Sequence, residues 1–195
     1  MKAWLSLLLL LAAAGAQAAP PASAEDDIGR FMAEKRLVDR LEAARVDMAS
    51  RVSDGASHVA NRASELVMNA MGYLGVPYRR GGNSAETGFD CSGFVKAIYQ
   101  QTVGMILPRR ANEQAAATKK IERQDLQPGD LVFFNTLRHA FSHVGIYIGD
   151  NKFIHSPKPG AQVRVEDMGV PYWSSRFDGA RRVLEPAAQP DTASQ

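Results

Sequence analysis

Apolar side chains recur at Ile28, Phe31, Val38, Leu41, Met48 and Val52, in steps of three, four or seven residues. That is the period of a helix carrying one narrow apolar stripe. The residues between are dense in both signs of charge, from Glu34-Lys35-Arg36 to Asp47 and Arg51, as on a solvated face. Ser53 to Asn61 is small and polar, with Gly55, and places the boundary of the main domain there. A second helix opens at Ser64-Glu65, runs through Leu66, Val67, Ala70, Met71 and Leu74, and closes at Gly75 and Pro77. Asp90 is a natural N-cap for a third, with Phe94, Val95, Ile98 and Tyr99 as its apolar positions. A short fourth is expected near Asn112, beyond Pro108.

From there the period shortens. Leu131 to Phe134, Val144 to Ile148, Lys152 to His155, Gln162 to Val165 and Gly179 to Leu184 are short apolar runs bounded by turn residues, which read as strands. Helices first and an antiparallel sheet afterwards predict an α+β domain, with helices packed on about five or six strands.

The N-terminal residues change the picture of where this domain works. Lys2, the apolar run Leu5 to Ala14 and the small residues Ala16-Gln17-Ala18 form the pattern of a cleaved signal peptide, residues 1–18. The run falls short of the about 20 apolar residues of a membrane span. Secretion across an inner membrane, to the periplasm, is the expectation. No cysteine follows the signal, so no lipid anchor of the lipoprotein kind is expected. The remainder divides into a linker and amphipathic helical arm over 19–61, a domain over 62–186 and a disordered tail over 187–195. The arm either packs on the domain or docks a protein partner. The formal charge of +2, without a basic cluster interleaved with aromatics, argues against nucleic acid as a partner.

Cys91 is the one cysteine of the chain, so it has no internal disulfide partner. It is a small buried hydrophobe, half of an intermolecular bridge, or a group kept for chemistry. Its place in the first turn of a helix favours the thiolate, because unpaired amides and the positive end of the dipole point at it. A base is within reach of the pattern. His143 opens one predicted strand and His155 closes the next, and a three-residue loop at Gly149-Asp150-Asn151 puts both imidazoles on one face. Cys91 as nucleophile, His143 as its proton partner and His155 as the group that orients His143 make a thiol-peptidase arrangement. The alternative, a zinc site from the same three residues, has only three ligands at unpatterned spacing.

Several motifs then carry a resemblance. Phe-Asp-Cys-Ser-Gly-Phe-Val at 89–95, Leu-Pro-Arg at 107–109 with Gln114, Leu-Gln-Pro-Gly-Asp-Leu-Val-Phe-Phe at 126–134 and Ser-His-Val-Gly-Ile-Tyr-Ile-Gly at 142–149 resemble the NlpC family of papain-like cysteine peptidases. With Phe153-Ile154-His155, Pro171-Tyr172-Trp173 and Ala180 to Leu184, the chain is most similar to the Spr-type murein endopeptidases, over about residues 64–184. The resemblance implies a papain-like fold and a Cys-His-His triad at Cys91, His143 and His155, with neither metal nor cofactor. It implies hydrolysis of amide bonds in peptidoglycan stem peptides, by preference the cross-link between D-alanine and meso-diaminopimelate. The bond between γ-D-glutamate and diaminopimelate is the alternative, and a wall-binding module without turnover a second. Tyr78 matches a tyrosine beside the nucleophile, serving the oxyanion or ordinary packing. Asp90 caps the helix or meets the substrate, Ser92 is a cleft residue or a first-turn serine, and Arg109 and Gln114 lie near the cleft or hold structure. Arg110 and the loop Asn135 to Phe141 depart from the family pattern.

Overall fold

One helix, α1 (Ala24–Met71), occupies the region in which the sequence predicts two helices and a polar break. A lone Gly55 costs a helix interior only about 1 kcal/mol. Its neighbours Ala56, Val59 and Ala60 are ordinary helix residues, so Ser53 to Asn61 continues the helix instead of ending it. The computed structural model describes residues 24–184. The expected signal peptide (1–18) and tail (187–195) lie outside the described residues. By their contacts, residues up to Ala49 group as one unit and those from Ser50 as another. In the first, Val38, Leu41 and Met48 are each more than half exposed, as is Val52 at the start of the second. Among the described residues no helix is long and apolar enough to cross a membrane.

In the second unit Leu66 and Ala70, near the end of α1, are buried in the core. The chain then turns at Gly75, whose φ of 85° suits glycine. Residues 75–78 run alongside 161–163: Gly75 N donates to Val163 O (3.0 Å), Val163 N to Val76 O (2.8 Å) and Tyr78 N to Ala161 O (2.8 Å). A small hairpin, β1 (Asn83–Ser84) and β2 (Gly88–Phe89), leads into α2 (Cys91–Val103). Gly104 ends α2 in the left-handed region (φ 71°), with its N–H returned to the last turn. Next comes α3 (Ala111–Ala116).

The sheet follows: β3 (Lys119–Ile121), β4 (Leu131–Phe134), β5 (His143–Gly149), β6 (Lys152–His155), β7 (Arg164–Asp167) and, after the short α4 (Pro171–Ser174), β8 (Phe177–Arg182). Its order is β3-β8-β4-β5-β6-β7, antiparallel at each pairing. The expected α+β architecture is therefore present, with six strands in the main sheet. Three strand assignments differ from expectation. Residues 161–163 pair with 75–78, which moves β7 to Arg164–Asp167, and β8 starts at Phe177. The strand β3 has no apolar alternation, since Lys119 and Lys120 are exposed on what is the sheet's edge.

β4 explains why the run Leu-Val-Phe-Phe is uninterrupted. All four residues are buried, because both faces of this central strand are covered. Leu131 and Phe133 meet Phe94, Val95, Ile98 and Tyr99 of α2, while Val132 and Phe134 meet Phe153, Met168 and Trp173 on the far face. Each such side chain contributes about 1.5–3 kcal/mol on burial. Two of the buried polar ends are paired: Tyr99 Oη donates to Gly129 O, and Arg182 grips Asp130 bidentately at 2.9 and 2.8 Å.

The first turn of α2 fits its surroundings with no room to spare. A Cβ on Gly93 would lie 2.1 Å from the carbonyl oxygen of Gly82. Glycine to alanine in an open helix stabilises by about 1 kcal/mol. Here the sign reverses: Gly93→Ala should cost about 2 kcal/mol, as overpacking does, read as a lower denaturant midpoint. A midpoint equal to or above that of the parent would contradict this packing.

Candidate active site

Asp90 sets the entry to α2. Its backbone is extended (φ −91°, ψ 176°) and its Oδ1 accepts the Gly93 amide at 2.8 Å, the bond of an N-cap. The other oxygen accepts Gly81 N at 2.9 Å, and Arg109 donates to both, at 2.9 and 2.6 Å. Arg109 also donates to Ser92 Oγ (3.0 Å), and buried Gln114 donates to Ser92 O (3.0 Å) and Pro108 O (2.9 Å). Asp90, Ser92, Arg109 and Gln114 thus form one hydrogen-bonded frame round the first turn that presents Cys91. Ser92 and Gln114 are buried in that frame.

The two histidines come from the sheet. Ile146 faces Ile154 and Tyr147 faces Phe153, so His143 and His155 stand diagonally on one face of β5 and β6. His143 Nε2 and His155 Nδ1 are 2.7 Å apart. The turn that achieves this differs from the expected three-residue loop. Gly149 pairs with Lys152 across two left-handed residues, Asp150 (φ 50°) and Asn151 (φ 58°), and a register shift between Tyr147 and Gly149 restores the shared face. The parity is as expected; a bulge supplies it.

α2 covers one face of the sheet, and the imidazoles lie on the other, against Phe134, Phe153 and Trp173. The indole of Trp173 stacks on His143 (5.6 Å, 27°) and meets His155 edge-on (5.1 Å). The two layers come together round the start of β5, where a cavity of 280 Å³ is lined by Tyr78, Cys91, Ser142 and His143. A neighbouring cavity of 440 Å³ shares His143, Thr136, Leu137 and Lys158, and adds Arg164, Glu166 and Trp173. A larger space of 590 Å³ lies between α1 and the turn Gln127–Asp130 and contains none of these residues. Since the two imidazole nitrogens point at each other, they do not converge with the thiol on a metal. Among the described residues no group of three or more His, Cys, Asp or Glu is arranged to hold one.

Residues 75–182, more than half the chain, match the sequence model of the NlpC/P60 family. The chain belongs to the NlpC/P60 family. It is 42% identical over 139 residues to the murein DD-endopeptidase MepH of Escherichia coli (strain K12), covering 69% of this chain and 51% of that one. It is 42% identical over 118 residues to the gamma-DL-glutamyl hydrolase of Bacillus subtilis (strain 168), covering 60% of this chain and 28% of that one. The chain thus spans about half the length of the first relative and less than a third of the second. Among solved structures, an NlpC/P60 family protein from Bacillus cereus ATCC 10987 superposes with a TM-score of 0.59 at 37% identity, over 63% of this chain and 40% of that one. The NlpC/P60 domain of the peptidoglycan hydrolase SagA gives 0.55 at 33%, over 62% and 98%.

The resting electrostatics of this family member depart from the sequence expectation of a thiolate. Burial pushes the Cys91 thiol up to about 11, and the Asp90 carboxylate adds to the rise. The amides of Val144, Ser92 and Cys91 pull the other way without overcoming it. Burial likewise holds His143 well below its ordinary value, with His155 adding to the effect. The pair therefore rests as neutral thiol and neutral imidazole. Tyr78 is raised, by burial first and then by Cys91 and Asp90.

Sequence reasoning missed three contributors. Ser156 Oγ donates to Phe89 O at 2.7 Å, tying the end of β6 to the residue before the cap. Ser142 Oγ accepts from Thr136 N (2.9 Å) and Leu137 N (3.1 Å), pinning the loop over the cavity. Glu166 lies 3.7 Å from His155 Nε2; ending the predicted strand at Val165 left it out of view.

A neutral resting pair has a kinetic signature. The rate of Cys91 alkylation by iodoacetamide should climb with pH through neutrality and on towards about 11, the value to which its surroundings raise this half-buried thiol. A rate already level between about pH 5 and 8, the behaviour of a thiolate with a strongly depressed pKa, would contradict it.

Proposed function

We propose that this chain is a peptidoglycan endopeptidase that cleaves amide bonds of stem peptides through Cys91, His143 and His155, without a metal or cofactor. The observation that carries the reading is the 2.7 Å bond between His143 and His155 beside a cavity shared by His143 and Cys91. His143 takes the thiol proton as Cys91 Sγ attacks the substrate carbonyl, so charge forms only as the bond forms. The oxyanion meets the backbone amide of Cys91, at the start of α2, and the Tyr78 hydroxyl across the cavity. Collapse expels the amine, protonated by His143, and leaves a thioester. Water, deprotonated by His143, releases the acid and restores the thiol. Asp90, Ser92, Arg109 and Gln114 act by fixing the turn that carries the nucleophile.

The preferred bond in this reading is the cross-link between D-alanine and meso-diaminopimelate, supported by the longer stretch of similarity to MepH. Likeness to a gamma-DL-glutamyl hydrolase supports the bond between γ-D-glutamate and diaminopimelate as the second reading. The site of action is extracytoplasmic, in the periplasm after removal of residues 1–18. Residues 62–186 form the catalytic domain. The arm within 19–61 docks a protein partner through Val38, Leu41, Met48 and Val52, whose side chains are exposed.

Digestion of muropeptides followed by mass spectrometry tests the chemistry. Loss of cross-linked dimers with intact stems is expected, and persistent dimers with shortened stems would move the assignment to the second bond. Cys91→Ala should lower turnover by at least about 10³-fold, as removal of a nucleophile does; unchanged lysis would refute Cys91 as the nucleophile, whereas a parent protein that binds peptidoglycan without cleaving it would be a wall-binding module. Deleting residues 25–55 should alter localisation or activity, and a truncated protein equal in both would remove the partner assignment.

A further inference from the structure

His143, His155 and Glu166 stand on three neighbouring strands, β5, β6 and β7. His155 pairs with Arg164 and Phe153 with Glu166, so Glu166 is the diagonal neighbour of His155 on the face that holds both imidazoles. Its carboxylate is fixed from two sides: Trp173 Nε1 donates to one oxygen and Arg164 Nε and Nη2 to the other. The oxygen bonded by Arg164 lies 3.7 Å from His155 Nε2. That nitrogen belongs to a fully buried side chain and has no hydrogen-bond partner.

A neutral imidazole carries one proton, and its position here follows from electrostatics. With the proton on Nδ1, His155 would turn the lone pair of Nε2 toward an anion at 3.7 Å inside the protein. With the proton on Nε2, that edge is attracted to the carboxylate instead. Nδ1 then accepts from His143 Nε2–H across the 2.7 Å bond, and His143 Nδ1 keeps its lone pair. The opposite assignment would place the His143 proton on Nδ1, the nitrogen not engaged with His155, where it could take nothing from a thiol.

We infer that Glu166 is a positioning residue that fixes the tautomers of His155 and His143, leaving the free nitrogen of His143 unprotonated for Cys91. This rests on the thiol-peptidase reading given above. The ionisable groups round His155 are His143 on β5 and Glu166 and Arg164 on β7; α4 contributes the edge-on indole of Trp173, which does not titrate. The neighbouring His155, followed by Trp173 and Arg164, holds Glu166 down to about 2, so the carboxylate is charged wherever the enzyme works.

The tautomers can be read directly. Long-range ¹H–¹⁵N spectra of the wild-type protein at neutral pH should show both His155 and His143 protonated at Nε2, and protonation of His155 at Nδ1 overturns the inference without any variant. In Glu166→Gln, the near-isosteric amide can accept from His155 or donate to it, so the two tautomers should mix. Its kcat should fall at least about tenfold, the scale of losing the outer partner of a functional histidine, with KM unchanged. The acid limb of kcat/KM should move to lower pH, because an anion that favours the imidazolium has gone. Glu166→Asp should recover part of kcat and return the limb. A folded Glu166→Gln with wild-type kcat and an unmoved limb would overturn the inference. Failure of the wild type to cleave muropeptides, or full activity in Cys91→Ala, would instead sink the peptidase reading, while the spectra still decide the tautomers.

Discussion

The carboxylate of Asp90 is the point on which the site hangs. One side chain satisfies an amide of the first turn of α2, an amide of the loop at Gly81 and both terminal nitrogens of Arg109. A cap alone contributes about 1 kcal/mol to a helix. Here the same bonds fix the direction in which the next residue, Cys91, leaves the cap. The frame also explains why Arg109 rather than a lysine suits this place, since a planar fork can hold two carboxylate oxygens at once.

That frame would be idle without a second constraint on the opposite layer. Ser156 follows His155 and bonds to the carbonyl of Phe89, the residue before Asp90. The strand that ends at His155 and the cap that sets the direction of Cys91 are therefore each one residue away from a shared hydrogen bond. Central β4, covered on both faces, holds the two layers at a fixed separation. The chemistry proposed for the cleft then starts from neutral partners on one cavity wall, the thiol proton passing to the imidazole as the sulfur attacks.

Much of this was legible in the chain before the fold was known. The N-cap at Asp90, the start of α2 and the limits of β4 and β6 follow from turn residues and period, and the shared face of His143 and His155 follows from parity. What escaped has physical causes. Local polarity at Ser53–Asn61 reads as a break, yet a helix tolerates one glycine and several serines. Two lysines on an edge strand leave no alternation to detect. Residues 161–163 have the composition of a strand but spend their bonds on 75–78, which displaced β7 and hid Glu166. The direction of the thiol's shift could not be read from its helix, because burial is a property of the packed molecule and outweighs the local amides.

The bulge in the β5–β6 hairpin bears on which register the two strands can hold. Successive strand residues face opposite ways, so drawing the extra residue between Tyr147 and Gly149 into a regular ladder, at unchanged chain length, would set His155 opposite Ile146, on the helix side of the sheet. Loop 135–142 carries no such parity, and it can lengthen or shorten between relatives while the imidazoles stay paired. Variation in size is thereby left to the rim of the cleft, and the hairpin behind it must hold its register.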